Sequence, residues 1–240
     1  MWIKCFLGCL VCHLSSLFSA GPILHLWVAE RFCEIYGIDD PDVLQGIFIG
    51  SEYPDIRYIV NFPRNLTHPT VVNFQEVTQS ANPFELGMKL HSWLDFTREN
   101  FIDQTIYTVI SSYEDHHAAT LLKFIEEEIL ADFYDGRKWS FIFDKVMPEE
   151  LIITPEEAVL KWHGMIQWTM SFRPSWLLWA QSYRGNAFGL STETLYNWSY
   201  LIPELKQKPL FQNYLNALLE HLEAQLSEYE SLDFIFNNHH

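Results

Sequence analysis

Apolar residues recur at helical spacing through most of the chain and predict a protein built from many helices. The segment 24–36 has apolar residues three or four positions apart and ends at Gly37. A strong helix over 83–102 opens with Asn82 as N-cap and Pro83 at the first helical position. The same spacing predicts helices at 115–134 (starting at Asp115), 155–172, 174–185, 192–202 and 208–230. Strand patterns are weak, the best being short apolar fragments near 141–153, so we expect an all-α fold.

Residues 38–80 interrupt this pattern. Four prolines, at positions 41, 54, 63 and 69, separate short apolar runs, and the pattern predicts a loop-rich region. The sequence has no internal repeat and no low-complexity linker. We therefore expect a single domain over residues 20–240.

The first 19 residues have the pattern of a secretory signal peptide. Lys4 is the only charge before Glu30, an apolar run over residues 5–18 follows it, and small residues come next, including Ser19 and Ala20. This run of 14 residues is too short to span a bilayer, and a buried N-terminal helix is the alternative. We expect cleavage after Ser19 and a secreted or periplasmic protein.

Composition limits the classes of function. Hydrophobic residues make up 48% of the chain and aromatic residues 16%, enough for a sizeable core. The net charge of −16 argues against a nucleic-acid-binding module, because phosphate backbones repel an acidic surface. A phosphate-handling site in such a chain needs cations, and bound metal is their natural source. The sequence has no CxxC metal motif, and Cys33, the one cysteine outside the signal segment, is expected in the core.

The first candidate for chemistry is the pair His91 and Asp95. Residues four apart share one face of a helix, and Gly87, one turn earlier, leaves room for another group to approach. Apolar neighbours indicate that this helix is buried, and a buried carboxylate needs a partner such as a metal. Glu99 continues the same stripe.

Three further candidates lie earlier in the chain. Asp55 follows Pro54 in a loop, His68 lies between Thr67 and Pro69, and His25 belongs to an apolar helix. Each taken alone has an ordinary interpretation, as a turn aspartate, a solvated loop histidine and a core histidine. The order of all four segments is more specific than any of them.

In that order, GPILHLWVAERF, GSEYPDI, THPTVVNF and FELGMKLHSWLD resemble the zinc-dependent phospholipase C family. That family, related to S1/P1-type nucleases and glycosylphosphatidylinositol-specific phospholipase D, has an early helical His, a Pro-Asp segment, a Thr-His pair and an L-G-x-x-x-H-x-x-x-D helix. The resemblance covers residues 20 to about 135. It implies a multi-helix phospholipase C/P1 nuclease-like domain around a zinc cluster.

The resemblance also implies ligands for two zinc ions. One ion would be held by Asp55, His68, His91 and Asp95. The other would lie between the amine and carbonyl of Ala20, His25 and the shared Asp95. Asp55 would in addition be the candidate catalytic base.

The third zinc site of the family is incomplete in this sequence. The family has a His shortly after the H-x-x-x-D pair and then a His-x-x-x-Glu. Here Glu99 stands four residues after Asp95, and no Glu lies four residues after His116 or His117. The third site is therefore either rebuilt from Glu99, His116 or His117 and a later Glu, or lost.

The resulting expectation is an exported, monomeric zinc-dependent phosphodiesterase acting on phospholipid headgroups. The expected partner is a phospholipid or other phosphodiester substrate, with peripheral membrane contact as a further option and no nucleic acid. The alternatives are a catalytically degenerate relative that keeps the scaffold and one zinc as a binding or surface protein, and a nuclease of the same superfamily. Two later features have ordinary interpretations, each with one alternative. Glu126–Glu128 are expected to form a solvated helix face rather than a metal cage, and the tryptophans at 162, 168, 176 and 179 are expected in the core rather than on a lipid-contacting surface.

Overall fold

The structure is a computed structural model that describes residues 20–71, 73–114 and 116–228. Helical residues make up 73% of it, and the described part holds no strand beyond an isolated bridge between Ala187 and Leu190. The α-helices of the described residues are α1 Pro22–Ile35, α2 Pro41–Glu52, α3 Arg57–Val60, α4 Arg64–Thr67, α5 Phe74–Thr78, α6 Pro83–Phe101, α7 Gln104–Ser111, α8 Ala118–Leu130, α9 Glu156–Ser171, α10 Pro174–Ser182, α11 Thr192–Leu205 and α12 Pro209–Leu226. Short 3₁₀ helices lie at Tyr53–Ile56, Gly136–Asp144 and Glu150–Ile152. The all-α prediction is confirmed.

The helices predicted outside residues 38–80 are present, with small differences at their ends. The predicted signal segment 1–19 and the predicted helix start at Asp115 lie outside the described residues. At the start of α6 the Asn82 side chain accepts the backbone N–H of Glu85 at 2.8 Å, and the Glu85 carboxylate accepts the N–H of Ala81 at 2.9 Å. This reciprocal capping fixes where α6 begins.

The prediction of a loop-rich region over 38–80 is wrong, because this region contains α2 to α5. The 12-residue helix α2 starts with Asp40, whose carboxylate accepts the N–H groups of Asp42 at 2.9 Å and Val43 at 3.1 Å. Pro41 occupies its first turn. A cap followed by proline starts a helix here as it does at Asn82–Pro83, so the proline that suggested a loop marks a helix start.

Helices α2 and α6 pack closely against each other, because glycines let their backbones meet. A Cβ at Gly87 would lie 2.7 Å from the backbone nitrogen of Ser51, and one at Gly50 would lie 3.0 Å from the carbonyl carbon of Phe84. The first distance is shorter than real Cβ atoms show, and a Cβ at Gly50 would lie closer still to the carbonyl oxygen of Phe84. The room predicted at Gly87 is therefore taken by the backbone of α2, which brings Ser51 beside His91.

The three consecutive glutamates of α8 are buried, which corrects the prediction of a solvated face. Glu126 accepts two hydrogen bonds from the Arg98 guanidinium, at 2.8 and 3.0 Å, and one from the Tyr214 hydroxyl at 2.9 Å. Glu128 accepts the backbone N–H of Ser175 at 2.9 Å at the start of α10. Through these carboxylates α8 binds α6, α12 and α10.

The tryptophans divide between core and surface. Trp162 is buried, and its indole N–H donates to the carbonyl of Glu52 at 3.1 Å. Trp176 and Trp179 are exposed, so the prediction that they belong to the core is wrong. Cys33 is buried, as predicted. None of the described helices combines the length and apolar character that crossing a bilayer requires.

Candidate metal centre

Five predicted ligands from four parts of the fold meet at one buried place. His25 comes from α1, Asp55 from the 3₁₀ helix at 53–56, His68 from the end of α4, and His91 and Asp95 from α6. Their ligand atoms form two groups, each within 4.8 Å: His25, His91 and Asp95, and Asp55, His68 and His91. His91 belongs to both groups and joins them. These buried His/Asp groups could hold a metal ion.

The spacing of the ligand atoms suits a shared cation better than direct pairing. Asp95 places Oδ1 3.6 Å from His25 Nε2 and Oδ2 3.6 Å from His91 Nε2, and Asp55 Oδ1 lies 3.6 Å from His68 Nε2. A separation of 3.6 Å is too long for a hydrogen bond. Two ligand atoms on one tetrahedral metal, each at about 2.1 Å, are separated by roughly 3.4 Å.

Hydrogen bonding within the described residues leaves these atoms unsatisfied. Nε2 of His25, His68 and His91 and Oδ1 of Asp55 are buried without a hydrogen-bond partner. A buried polar atom left unpaired costs roughly 1–3 kcal/mol. Several such atoms aimed at one place are unusual in a folded protein. Coordination of a cation would satisfy them, so the residues present fit a metal.

Contacts behind the histidines aim their rings. His91 Nδ1 lies 2.7 Å from the carbonyl oxygen of Ser51, which can only accept, so the ring proton is on Nδ1 and the lone pair on Nε2 faces the carboxylates. His68 Nδ1 lies 3.1 Å from Thr67 Oγ1. The His25 ring stacks on that of His91, with centroids 3.8 Å apart and planes 3° apart.

Ala20 and Arg64 complete the surroundings of Asp95. The backbone nitrogen of buried Ala20 donates to Asp95 Oδ1 at 2.7 Å, which is where the predicted N-terminal ligand would lie. Arg64 Nη2 lies 3.1 Å from Asp95 Oδ2, and its side chain is partly exposed. Asp95 thus directs one oxygen towards α1 and the other towards His91 and solvent-facing Arg64.

Electrostatics keep the groups in the protonation states that bind metal. Burial, and then the nearby His91, lower the pKa of His25 to about 4. Burial raises the pKa of Asp55 and of Asp95, but their contacts with the histidines outweigh it and hold both pKa values below the usual range. Ionised carboxylates and a neutral imidazole are the forms that coordinate a cation.

No family model, curated protein or solved structure matches the chain. Inference about function therefore depends on the geometry and chemistry of this cluster.

The ligands predicted for a third ion are not in either group. Glu99 is exposed and lines a surface cavity beside Asp103 and Tyr107, because one turn beyond Asp95 it faces the groove between α6, α7 and α8. His116 is exposed, and its backbone N–H donates to Glu114. His117 is the N-cap residue of α8 and only half-buried.

Three charged residues lie beside the cluster: Glu52 and Lys123, which were not predicted from the sequence, and Glu127, which was predicted on a solvated helix face. Glu52 is buried with Oε1 unpaired, and burial followed by repulsion from Asp55 raises its pKa well above the usual value. Glu127 accepts the backbone N–H groups of Ile23 at 3.2 Å and Leu24 at 3.0 Å, and burial raises its pKa to about 7. The positive charge of Lys123 opposes the rise in the pKa values of Glu52 and Glu127. It also helps to lower the pKa of Asp55.

The sequence did carry a signal for part of this set. Lys123 and Glu127 are four residues apart in a predicted helix, which places a cation and a carboxylate on one face. It is also the spacing expected of the His and Glu of a third site. The glutamate at this position holds the first turn of α1, and the lysine ammonium supplies a fixed positive charge.

Proposed function

We propose that the protein is a zinc-dependent phosphodiester hydrolase of the phospholipase C type. The observation that carries the proposal is the meeting of five predicted ligands whose facing atoms lie 3.6 Å apart in pairs, four of these atoms being buried without a hydrogen-bond partner. The five residues span 70 positions of the sequence, from His25 to Asp95, and the fold brings them together. A cluster of this kind is the feature that the proposed chemistry requires.

The donor set favours zinc and suggests how two ions divide it. Imidazole nitrogens and carboxylate oxygens suit zinc. His91 has one free lone pair, on Nε2, because its Nδ1 is bound to Ser51, so it can serve only one ion. That ion would take Asp55, His68, His91 and one oxygen of Asp95. The other Asp95 oxygen and His25 would serve a second ion, completed by the amine of Ala20 after signal cleavage.

The residues around the cluster suit a phosphodiester. Bound zinc would polarise the phosphoryl oxygens and lower the pKa of an attacking water. Asp55 is ionised and can accept the proton of that water, the role proposed for it as base. Arg64 presents a partly exposed guanidinium beside Asp95, with planar donors that match phosphate oxygens. These cations offset the repulsion that a chain of net charge −16 exerts on an anionic substrate.

One observation favours a second candidate, a relative that binds metal without catalysis. Glu99, His116 and His117 lie outside both groups, so a third ion has no ligands from that set. If the reaction needs a third ion, the cluster would serve binding or stability instead. Lys123 is the chain's own candidate to replace part of that charge.

The test is hydrolysis of choline-, inositol- and nitrophenyl-phosphodiester substrates by the chain that begins at Ala20, with zinc supplied. We expect activity, and Asp55→Asn should lower kcat by about 100-fold or more. His116→Asn is the matched control and should retain full activity. A protein that binds zinc but hydrolyses none of the substrates would support the non-catalytic relative. A protein that neither binds zinc nor hydrolyses them contradicts both candidates.

A further inference from the structure

Five aromatic side chains, on α9 and α10 and at the residues directly after them, form a continuous row at the surface, called here the aromatic ladder: Trp168, Phe172, Trp176, Trp179 and Tyr183. Phe172 and Trp176 stack with centroids 4.3 Å apart, and Trp179 and Tyr183 are 5.2 Å apart. Trp176 is 43% exposed, Trp179 39% and Tyr183 69%. Scattered exposed apolar residues are ordinary, but a row of contacting exposed rings marks an interaction surface.

The segment that carries the ladder differs in charge from the rest of the chain. The sequence has 31 acidic residues in 240, yet none between positions 158 and 192, where the charged residues are Lys161, Arg173 and Arg184. Arg173 is paired with Asp132, just after α8, at 2.7 Å and with Glu128 at 3.4 Å. The segment that carries the ladder therefore adds no carboxylate to the surface, and Asp132 and Glu128 offset part of its positive charge, although the molecule as a whole is strongly acidic.

The helix α8 ties the ladder to the metal centre. Glu127 binds the first turn of α1 through the N–H groups of Ile23 and Leu24, beside Ala20. The next residue, Glu128, binds the N–H of Ser175 at the start of α10. Two consecutive carboxylates thus fix the start of a ligand-bearing helix and the start of a ladder helix.

We propose that the aromatic ladder is the surface through which the protein docks on a bilayer of zwitterionic phospholipid. Tryptophan and tyrosine have an apolar body and a polar N–H or O–H, and they favour the headgroup region of a bilayer. A segment without carboxylates suits a zwitterionic headgroup layer, because no negatively charged side chain of the segment has to lose its water against the lipid. This proposal rests on the proposed function. It adds to that function the surface through which the enzyme would meet a substrate that lies in a membrane.

The test is flotation of the chain that begins at Ala20 with vesicles of phosphatidylcholine. The double variant Trp176→Ala/Trp179→Ala should bind the vesicles at least about tenfold more weakly than the natural chain, because it loses two large interfacial side chains. Trp176→Phe/Trp179→Phe keeps the rings and should retain most of the binding. The matched control is Phe96→Ala/Tyr107→Ala on α6 and α7, where the side chains are 42% and 43% exposed. Thermal unfolding of each variant verifies that it is folded.

Two further readouts separate this proposal from the proposed function. Brominated acyl chains in the vesicles should quench the tryptophan fluorescence of the natural chain and of the control, but much less that of the Ala double variant. Hydrolysis of a soluble nitrophenyl phosphodiester should be equal in all of them. Equal vesicle binding by the Ala double variant and the natural chain would overturn the ladder proposal even if the enzyme is active. The proposal would also be overturned if the natural chain did not bind vesicles but self-associated through the ladder, or bound soluble sugars there.

Discussion

Asp95 shows how much a single buried carboxylate depends on its neighbours. One of its oxygens lies 2.7 Å from the Ala20 nitrogen and 3.6 Å from His25 Nε2, and the other lies 3.1 Å from Arg64 and 3.6 Å from His91 Nε2. An isolated buried charge would be very costly, and these contacts keep it ionised. The helical spacing of His91 and Asp95 predicted that these two side chains lie together, because both are on one face of a helix. The contributions of Ala20 and Arg64 come from other segments.

Glu127 allows a prediction about pH at the same scale. Its pKa is raised from 4.5 to about 7 by burial, so the stability it contributes is fully present below pH 4.5 and is lost as pH rises through 7. Relative to Glu127→Gln, the metal-free natural chain should lose up to about 3 kcal/mol of unfolding free energy between pH 4.5 and 7. Urea unfolding in chelator at several pH values measures this difference.

The comparison must be made between variants, because His25 acts in the opposite direction. Its pKa is lowered to about 4, so stability is lost as pH falls below 6.5. This effect cancels when the unfolding free energies of two chains that both contain His25 are subtracted. Glu99→Gln removes an exposed negative charge and is the control. If the difference in unfolding free energy between the natural chain and Glu127→Gln were independent of pH, the account of a raised pKa at Glu127 would be wrong.

The packing of α2 against α6 orients His91. Their close approach at Gly50 and Gly87 brings the carbonyl of Ser51 to 2.7 Å from His91 Nδ1, and this contact aims the ring at the cluster. The sequence predicted α6 from its cap and spacing. It did not predict α2, because a proline at the first helical position resembles a loop signal when other prolines follow nearby.

Gly87→Ala tests this arrangement. Alanine usually stabilises a helix interior by roughly 0.5–1 kcal/mol over glycine, but here its Cβ would meet the α2 backbone, which cannot yield without moving. We expect a loss of about 1–3 kcal/mol in unfolding free energy and a zinc affinity weakened by about 10- to 100-fold, because the support of His91 shifts. Glu99→Ala, exposed on the same helix, should change neither quantity. Denaturant titration and zinc competition assays measure both, and a stabilised variant of normal affinity would contradict the account.

The whole molecule assembles the cluster from distant segments. Ala20 and Asp95 are 75 residues apart, Ser51 and His91 are 40 apart, and Glu127 lies 104 residues from Ile23. The spacing of the predicted helices indicated the all-α class, and the ordered segments indicated the five candidate ligands that converge. The sequence could not show that Glu99, His116 and His117 lie elsewhere, or that Glu52 and Lys123 lie beside the cluster. Those positions depend on how helices pack, which periodicity within one helix does not determine.

The most direct test of the central claim is elemental analysis of zinc bound to the purified chain that begins at Ala20. We expect about two zinc ions per chain. His91→Ala should bind fewer, whereas His116→Ala should bind as many as the natural chain. A one-residue extension before Ala20 should cost the second ion alone, because it removes the free amine beside Asp95. Fewer than about one zinc ion per natural chain, or equal zinc in His91→Ala, would contradict the claim that this buried cluster is a metal centre.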